Sequence, residues 1–116
     1  MGKEKNFENR IKRWLENNDA WFVKFFANAM TKSGIPDILV CLKGRFIGIE
    51  VKAENGIPSD LQKRHLTNLN LKGGIGILAY PSGWDDLKKL LEEVINEPYL
   101  DIKNYINCEG YIKYKR

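Results

Sequence analysis

Two acidic residues and a lysine near the middle of the chain have types and a spacing that could support metal-assisted chemistry. Asp37 begins one apolar run, and Glu50 and Lys52 end the next. The two runs are separated only by Lys43-Gly44, a pair typical of the two-residue turn of a β-hairpin. Counting outward from that turn places Asp37 directly opposite Glu50, with their Cβ atoms about 5 Å apart.

Strand alternation predicts which face of the hairpin each side chain occupies. Side chains two residues apart point to the same face, so Lys52 is expected beside Glu50. Ile47, Ile49 and Val51 are expected on the opposite face, in the core. A one-residue bulge would shift this register, so the pairing is a prediction.

The expected chemistry follows from the charges. Like charges directly across a ladder are destabilising, so Asp37 and Glu50 need a compensating cation or a raised pKa. Carboxylate oxygens suit Mg²⁺ or Mn²⁺, the backbone carbonyl of Val51 is a further candidate ligand, and one His and two Cys argue against zinc. Lys52 adds a positive charge that can hold a phosphate oxygen, orient a water or stabilise a transition state. This set predicts hydrolysis of a phosphodiester.

Hydrophobic periodicity predicts the elements that hold these residues in place. Their order is αβββαβα, which is typical of an α/β fold. The elements are a helix over 4–17, a strand over 20–29, strands over 37–42 and 45–52, a helix that opens with the capping box Ser59-Asp60-Leu61-Gln62 and stops at Gly73-Gly74, a strand over 75–80, and a helix from Trp84 that is ended by Pro98.

We expect one domain, with a core over 1–97 and a C-terminal extension over 98–116. Four of the five tyrosines lie in this extension, which is an extra strand, a dimer contact or a mobile arm.

Composition limits the class of protein. A chain of 116 residues with 43% hydrophobic and 29% charged residues is typical of a packed domain and not of disorder or a coiled coil. The net charge of +4 is compatible with a polyanionic partner. A polar N-terminus and the lack of an apolar run of about 18 residues predict no secretory signal, no membrane span and a cytoplasmic location.

With these residues in place, the sequence resembles the PD-(D/E)XK nuclease superfamily and, within it, the small VRR-NUC domains, which are similar to archaeal Holliday junction resolvases. The resemblance implies a restriction-endonuclease-like αβββαβ core, with a mixed sheet flanked by helices. It runs from about Phe7 to Ile95 and rests on Glu8, Gly34-Ile35-Pro36-Asp37, Ile49-Glu50-Val51-Lys52 and Ser59-Asp60-Leu61-Gln62.

Roles for individual residues are implied by the same resemblance. Asp37 and Glu50 are implied metal ligands, and Lys52 is the implied catalytic lysine. Glu8 is implied to approach the metal directly or through water, and Gln62 to position the lysine or a DNA phosphate. The resemblance further implies cleavage that depends on Mg²⁺, with Mn²⁺ able to substitute, and that leaves a 5′-phosphate. The expected protein is a homodimer of a bacterium or a phage that acts on branched DNA, such as a Holliday junction, in repair or recombination.

Several of these residues also have a purely structural interpretation. Asp37 after a proline is common in turns, Gln62 is the reciprocal partner of Ser59 in the capping box, and Glu8 lies four residues before Lys12. Weaker candidates for DNA contacts are Lys24, Lys32, Ser33 and His65.

Two other functions use the same residues. One is a non-catalytic nucleic-acid-binding module that keeps a nuclease fold, and the other is a site-specific restriction enzyme.

Overall fold

In the computed structural model, which describes residues 2–26 and 33–116, three α-helices flank one five-stranded sheet. This confirms the predicted α/β class and the αβββαβ core. The elements are α1 (Lys3–Asn17), β1 (Trp21–Lys24), β2 (Ile38–Leu42), β3 (Arg45–Val51), α2 (Asp60–Leu71), β4 (Ile75–Ala79), α3 (Trp84–Asn96) and β5 (Ile112–Tyr114), with 3₁₀ turns at Pro81–Gly83 and Lys103–Tyr105.

The sheet is mixed, with the strands in the order β1-β2-β3-β4-β5. The first three strands are antiparallel, whereas β3, β4 and β5 are parallel neighbours. The pairing of Leu42 with Arg45 confirms the predicted register of the hairpin. Lys43 and Gly44 both have positive φ, 52° and 85°, as the two-residue turn that matches strand twist requires.

The two faces of the sheet carry separate clusters of buried side chains. On one face α1 and α3 pack over the sheet, and the rings of Phe7 and Trp84 meet in a T-shaped contact with centroids 6.0 Å apart. On the other face α2 lies close to β4, because Gly76 offers no side chain. A Cβ there would lie 2.3 Å from the carbonyl oxygen of Leu66, so the helix can approach this closely only over glycine. The hairpin is thereby fixed between two packed layers.

Two segments differ from the prediction or resolve an open alternative. The predicted strand over 20–29 is shorter, ending at Lys24, and its residues 27–29 lie outside the described part of the chain. The tyrosine-rich tail supplies β5 at the edge of the sheet. Arg45 holds the start of this tail through hydrogen bonds to the carbonyls of Pro98 (2.7 Å) and Leu100 (2.9 Å). None of the helices described in residues 2–26 and 33–116 is both long and apolar enough to cross a bilayer.

Candidate active site

Asp37 and Glu50 come together at the end of the hairpin away from its turn. Asp37 immediately precedes β2 and Glu50 is the penultimate residue of β3, so the observed register continues to place them opposite each other. Asp37 Oδ2 accepts a hydrogen bond of 2.8 Å from the backbone N–H of Val51. That bond fixes the carboxylate beside the end of β3, beyond the last ladder pair.

Glu50 is the buried member of the pair, with only 2% of its surface exposed. Its Oε2 lies 3.7 Å from Lys52 Nζ, which confirms that the two side chains share a face. Its Oε1 is buried and has no hydrogen-bond partner among the described residues. Burial first, and then the nearby charge of Asp37, raise the pKa of Glu50 to about 8.

Gln62 completes the predicted capping box and at the same time contacts Glu50, while its role toward Lys52 or a DNA phosphate stays a prediction. Its Oε1 accepts a bond from the N–H of Ser59, and its own N–H donates to Ser59 Oγ, which completes the capping box of α2. Its Nε2 donates to Glu50 Oε2 at 3.1 Å. A primary amide has separate donor and acceptor ends, so the two jobs do not compete. The start of α2 is therefore tied directly to Glu50.

Glu8, on α1, is buried and is surrounded by lysines. Its Oε1 lies 2.7 Å from Lys24 Nζ, and its Oε2 lies 3.1 Å from Lys5 and 2.9 Å from Lys12. Burial alone would raise the pKa of Glu8, but hydrogen bonds from the three ammonium groups outweigh it and lower the pKa to about 2. The ion pair with Lys12 is thus present, and a role for Glu8 as a metal ligand stays a prediction.

Lys24 connects Glu8 to the acidic pair, a role that sequence reasoning did not assign. Its ammonium group is 2.7 Å from Glu8 Oε1 and 3.4 Å from Asp37 Oδ1. Burial would lower the pKa of Lys24, yet its bonds to Glu8 and the charge of Asp37 raise it. One signal was available in the sequence, since Lys24 is a lone charge inside a run of aromatic and apolar residues.

We expect Glu8→Gln to destabilise the fold by about 2–3 kcal/mol at pH 7, because it leaves partly buried lysines without their anion. The depressed pKa means that the stability contributed by Glu8 is present above pH 4.5 and is lost as the pH falls toward 2. Urea unfolding at pH 7 and pH 3 measures both effects, with Glu16→Gln, an exposed position on the same helix, as control. Equal midpoints for the two variants at pH 7 would contradict the expectation.

The loop before Asp37 is held against α2 by short-range packing. His65 Nε2 lies 3.0 Å from the carbonyl oxygen of Ser33, within hydrogen-bond distance. Gly34 has a φ of +76°, and a Cβ at this residue would lie 2.8 Å from Leu61 Cγ. These contacts give His65 and Ser33 a structural role, while their contact with DNA stays a prediction. Lys32, the fourth weaker candidate, lies outside the described residues.

Comparison with known proteins identifies the fold of this chain. The sequence matches no protein-family profile and no curated protein. A solved structure described as a "VRR_NUC domain" superposes with a TM-score of 0.58 at 23% sequence identity, over 84% of this chain and 98% of that chain. The chain has the VRR_NUC fold. The resemblance inferred from Asp37, Glu50 and Lys52 is therefore confirmed at the level of a nuclease fold.

The oxygen donors at this end of the hairpin fit a divalent cation of the Mg²⁺ type. In residues 2–26 and 33–116 no three His, Cys, Asp or Glu side chains are grouped so that they could hold a metal, so the candidate site is the carboxylate pair Asp37 and Glu50. Mg²⁺ commonly takes one or two carboxylates and keeps several waters. Glu50 Oε1, buried without a hydrogen bond from the described residues, is a free acceptor of the kind that a cation satisfies.

The backbone carbonyl of Val51 points to the side of β3 on which Asp37 lies. Lys52 N–H donates to the Ala79 carbonyl in β4 at 3.0 Å. A trans peptide points its C=O opposite to its N–H, so the Val51 carbonyl points away from β4, to the side where Asp37 lies. The direction of its carbonyl thus keeps Val51 a candidate ligand together with Asp37 and Glu50.

Proposed function

We propose that this chain is a divalent-metal-dependent endonuclease that hydrolyses phosphodiester bonds in DNA. The observation that carries the proposal is the state of Glu50, a buried carboxyl opposite Asp37 and beside Lys52, one oxygen of which has no hydrogen-bond partner in residues 2–26 and 33–116. Burying such a group costs free energy unless a charge compensates it, so a site with this arrangement is favoured by function and not by stability.

Asp37, Glu50 and the Val51 carbonyl would hold Mg²⁺, or Mn²⁺ in its place. When bound, the ion supplies Lewis acidity that stabilises charge on the phosphate and lowers the pKa of a water. Lys52 presents an ammonium group that can hold a phosphate oxygen or stabilise the charge that develops on it. Gln62 keeps the Glu50 carboxylate oriented, and the Val51 N–H does the same for Asp37.

The overall reaction adds water across a phosphodiester. A bond forms between the water oxygen and phosphorus, the bond from phosphorus to O3′ breaks, and the proton of the water passes to the released oxygen or to solvent. We propose that the products are a 5′-phosphate and a 3′-hydroxyl, as the resemblance to the nuclease superfamily implies.

We further propose that the substrate is branched DNA, such as a Holliday junction, in repair or recombination in the cytoplasm of a bacterium or of a phage-infected cell. A symmetric junction needs two matched cuts, and this domain offers one carboxylate pair, so a homodimer fits the substrate. Light scattering at micromolar concentration is expected to give twice 13.4 kDa, and a monomeric mass would count against the dimer.

The test of the proposed function is cleavage of labelled four-way junction, flap and duplex DNA with Mg²⁺ or with chelator. We expect cleavage with Mg²⁺ only, and loss of at least about 10²-fold in Asp37→Asn, which weakens the carboxylate pair. The matched control is Asp86→Asn, an exposed carboxylate on α3. DNA binding without cleavage or metal uptake would overturn the proposal in favour of a non-catalytic binding module, and cleavage of one duplex sequence alone would favour a restriction enzyme.

A further inference from the structure

A basic cavity of about 340 Å³ lies beside the candidate active site, between the loop after β3, the beginning of α2 and the C-terminal strand β5. Three lysines from different parts of the chain line it, Lys63 from α2 and Lys113 and Lys115 from the C-terminal segment. The side chains of Tyr80 and Tyr111 contribute to the lining between them. We call this cavity the basic groove.

We propose that the basic groove binds the sugar-phosphate backbone of the DNA strand next to the cleaved bond. The inference rests on the proposed function for the identity of the ligand, and it gives the C-terminal extension a role in substrate binding. Lysines on one face are the usual contacts to backbone phosphates, which position DNA without reading its sequence.

The first argument is the position of the basic groove relative to Lys52. Gly56, which lines the groove, packs so closely on Lys52 that a Cβ there would lie 3.2 Å from Lys52 Cβ and 3.3 Å from its Cδ. The carbonyl of Gly56 also accepts a hydrogen bond of 2.8 Å from the hydroxyl of Tyr80. One loop residue therefore separates Lys52 from the groove, so the groove is close enough to bind the DNA strand whose phosphate we place at Lys52.

The second argument is the balance of charge in the groove. Lys63 is 3.4 Å from Glu109 in an exposed ion pair, and because such pairs contribute little to stability, a phosphate can replace the carboxylate. The hydroxyl of Tyr111 also donates a hydrogen bond to Glu109 Oε1. Lys113 is exposed, and Lys115 lies over the Tyr80 ring, 4.6 Å from its centroid. A ring contact leaves ammonium donors free for a phosphate.

The third argument is the contrast with the other face of the sheet. There α3 exposes several carboxylates, which repel a polyanion. The exposed residues are Asp85, Asp86, Glu92, Glu93 and Glu97. DNA is therefore expected to avoid α3, whereas the opposite face carries Lys52 and the basic groove.

The experiment measures binding of fluorescein-labelled four-way junction and duplex DNA by anisotropy, in chelator so that no cleavage occurs. The double variant Lys113→Ala/Lys115→Ala is expected to bind about tenfold more weakly than wild type at 0.1 M salt. The slope of log K against log salt is expected to fall in magnitude by about two, one for each lost phosphate contact. Thermal unfolding of each variant verifies that the fold is intact.

The matched control is Lys89→Ala/Lys103→Ala, which removes the same charge from two exposed positions outside the groove lining, one on α3 and one in the 3₁₀ turn Lys103–Tyr105. An equal loss of affinity and slope in both double variants would show a general charge effect and overturn the proposal, as would wild-type protein that does not bind DNA.

A variant that should bind DNA more tightly is Glu109→Gln. It removes the carboxylate that competes for Lys63, and we expect DNA affinity to rise about two- to fivefold. Glu92→Gln on α3 is its control.

A second measurement needs no substitution. Acetylation of lysines by a water-soluble reagent, followed by mass spectrometry, is expected to show protection of Lys63, Lys113 and Lys115 by DNA and no protection of Lys89 and Lys103. The binding measurements separate the two proposals. If DNA binding depends on the groove lysines but no cleavage occurs, only the proposed function is overturned. If wild type cleaves DNA and Lys113→Ala/Lys115→Ala binds it as tightly as wild type, only the proposal for the basic groove is overturned.

Discussion

Lys52→Ala is expected to lower the rate of DNA cleavage by about 10²- to 10³-fold, the usual effect of removing one group that stabilises charge in a transition state. The Lys52 ammonium lies 3.7 Å from Glu50 Oε2, on the face of the sheet that carries the acidic pair. We therefore expect it to contact a phosphate that lies beside the acidic pair. Single-turnover cleavage of a labelled junction in Mg²⁺ measures the effect.

Metal binding separates the role of Lys52 from that of the carboxylates. Calorimetric titration with Mn²⁺ is expected to show binding retained in Lys52→Ala and lost in Asp37→Asn, because only the second variant removes a ligand. The exposed Lys89→Ala is the control for cleavage. If Lys52→Ala cleaved within twofold of wild type, the activity would belong to a contaminating nuclease or to a different site.

Glu50→Gln is expected to make the metal-free protein more stable at alkaline pH, and to abolish cleavage. In the folded protein the pKa of Glu50 is about 8, against 4.5 for an unperturbed glutamate. Below pH 4.5 the carboxyl is neutral in both the folded and the unfolded state. As the pH rises to 8 only the unfolded state can ionise freely, so stability is progressively lost across this window.

The slope of this loss is at most about 1.4 kcal/mol per pH unit, which gives a total on the order of a few kcal/mol. Urea unfolding between pH 5 and 8 in chelator measures the free energy of unfolding of both proteins. A difference between wild type and Glu50→Gln that grows with pH is expected, since contributions from other groups cancel. Glu92→Gln, an exposed substitution, should leave the wild-type slope unchanged, and parallel curves for Glu50→Gln would refute the assigned burial cost.

The fold was predictable where local rules and global packing agree. The Lys43-Gly44 turn needs two positive φ angles, and once it is placed the pairing of Asp37 with Glu50 follows by counting. The capping box of α2 was equally local, since Ser59 and Gln62 satisfy each other's backbone groups within one turn. Both elements form their hydrogen bonds between residues that are close in the sequence, so they depend little on distant parts of the chain.

Other features of the site depend on residues far apart in the chain. Gln62 reaches Glu50 only because Gly48 and Gly76 let α2 approach the sheet closely. Lys24 joins Glu8 to Asp37 only because α1 packs beside β1, and no periodicity encodes that contact. The sequence leaves the tail open among three alternatives, and only the parallel pairing of β5 with β4 distinguishes the extra strand from the other two.

The sequence by itself determined the chemistry available, namely two acids and an ammonium group on one face of a hairpin, because strand alternation and turn geometry are local properties of the backbone. Only the tertiary structure decided the energetics. The burial of Glu50, its raised pKa and the basic groove beside Lys52 arise where α2 and the C-terminal segment cover the sheet. Burial and charge are sums over neighbours from distant parts of the chain, and they exist only once the chain has folded.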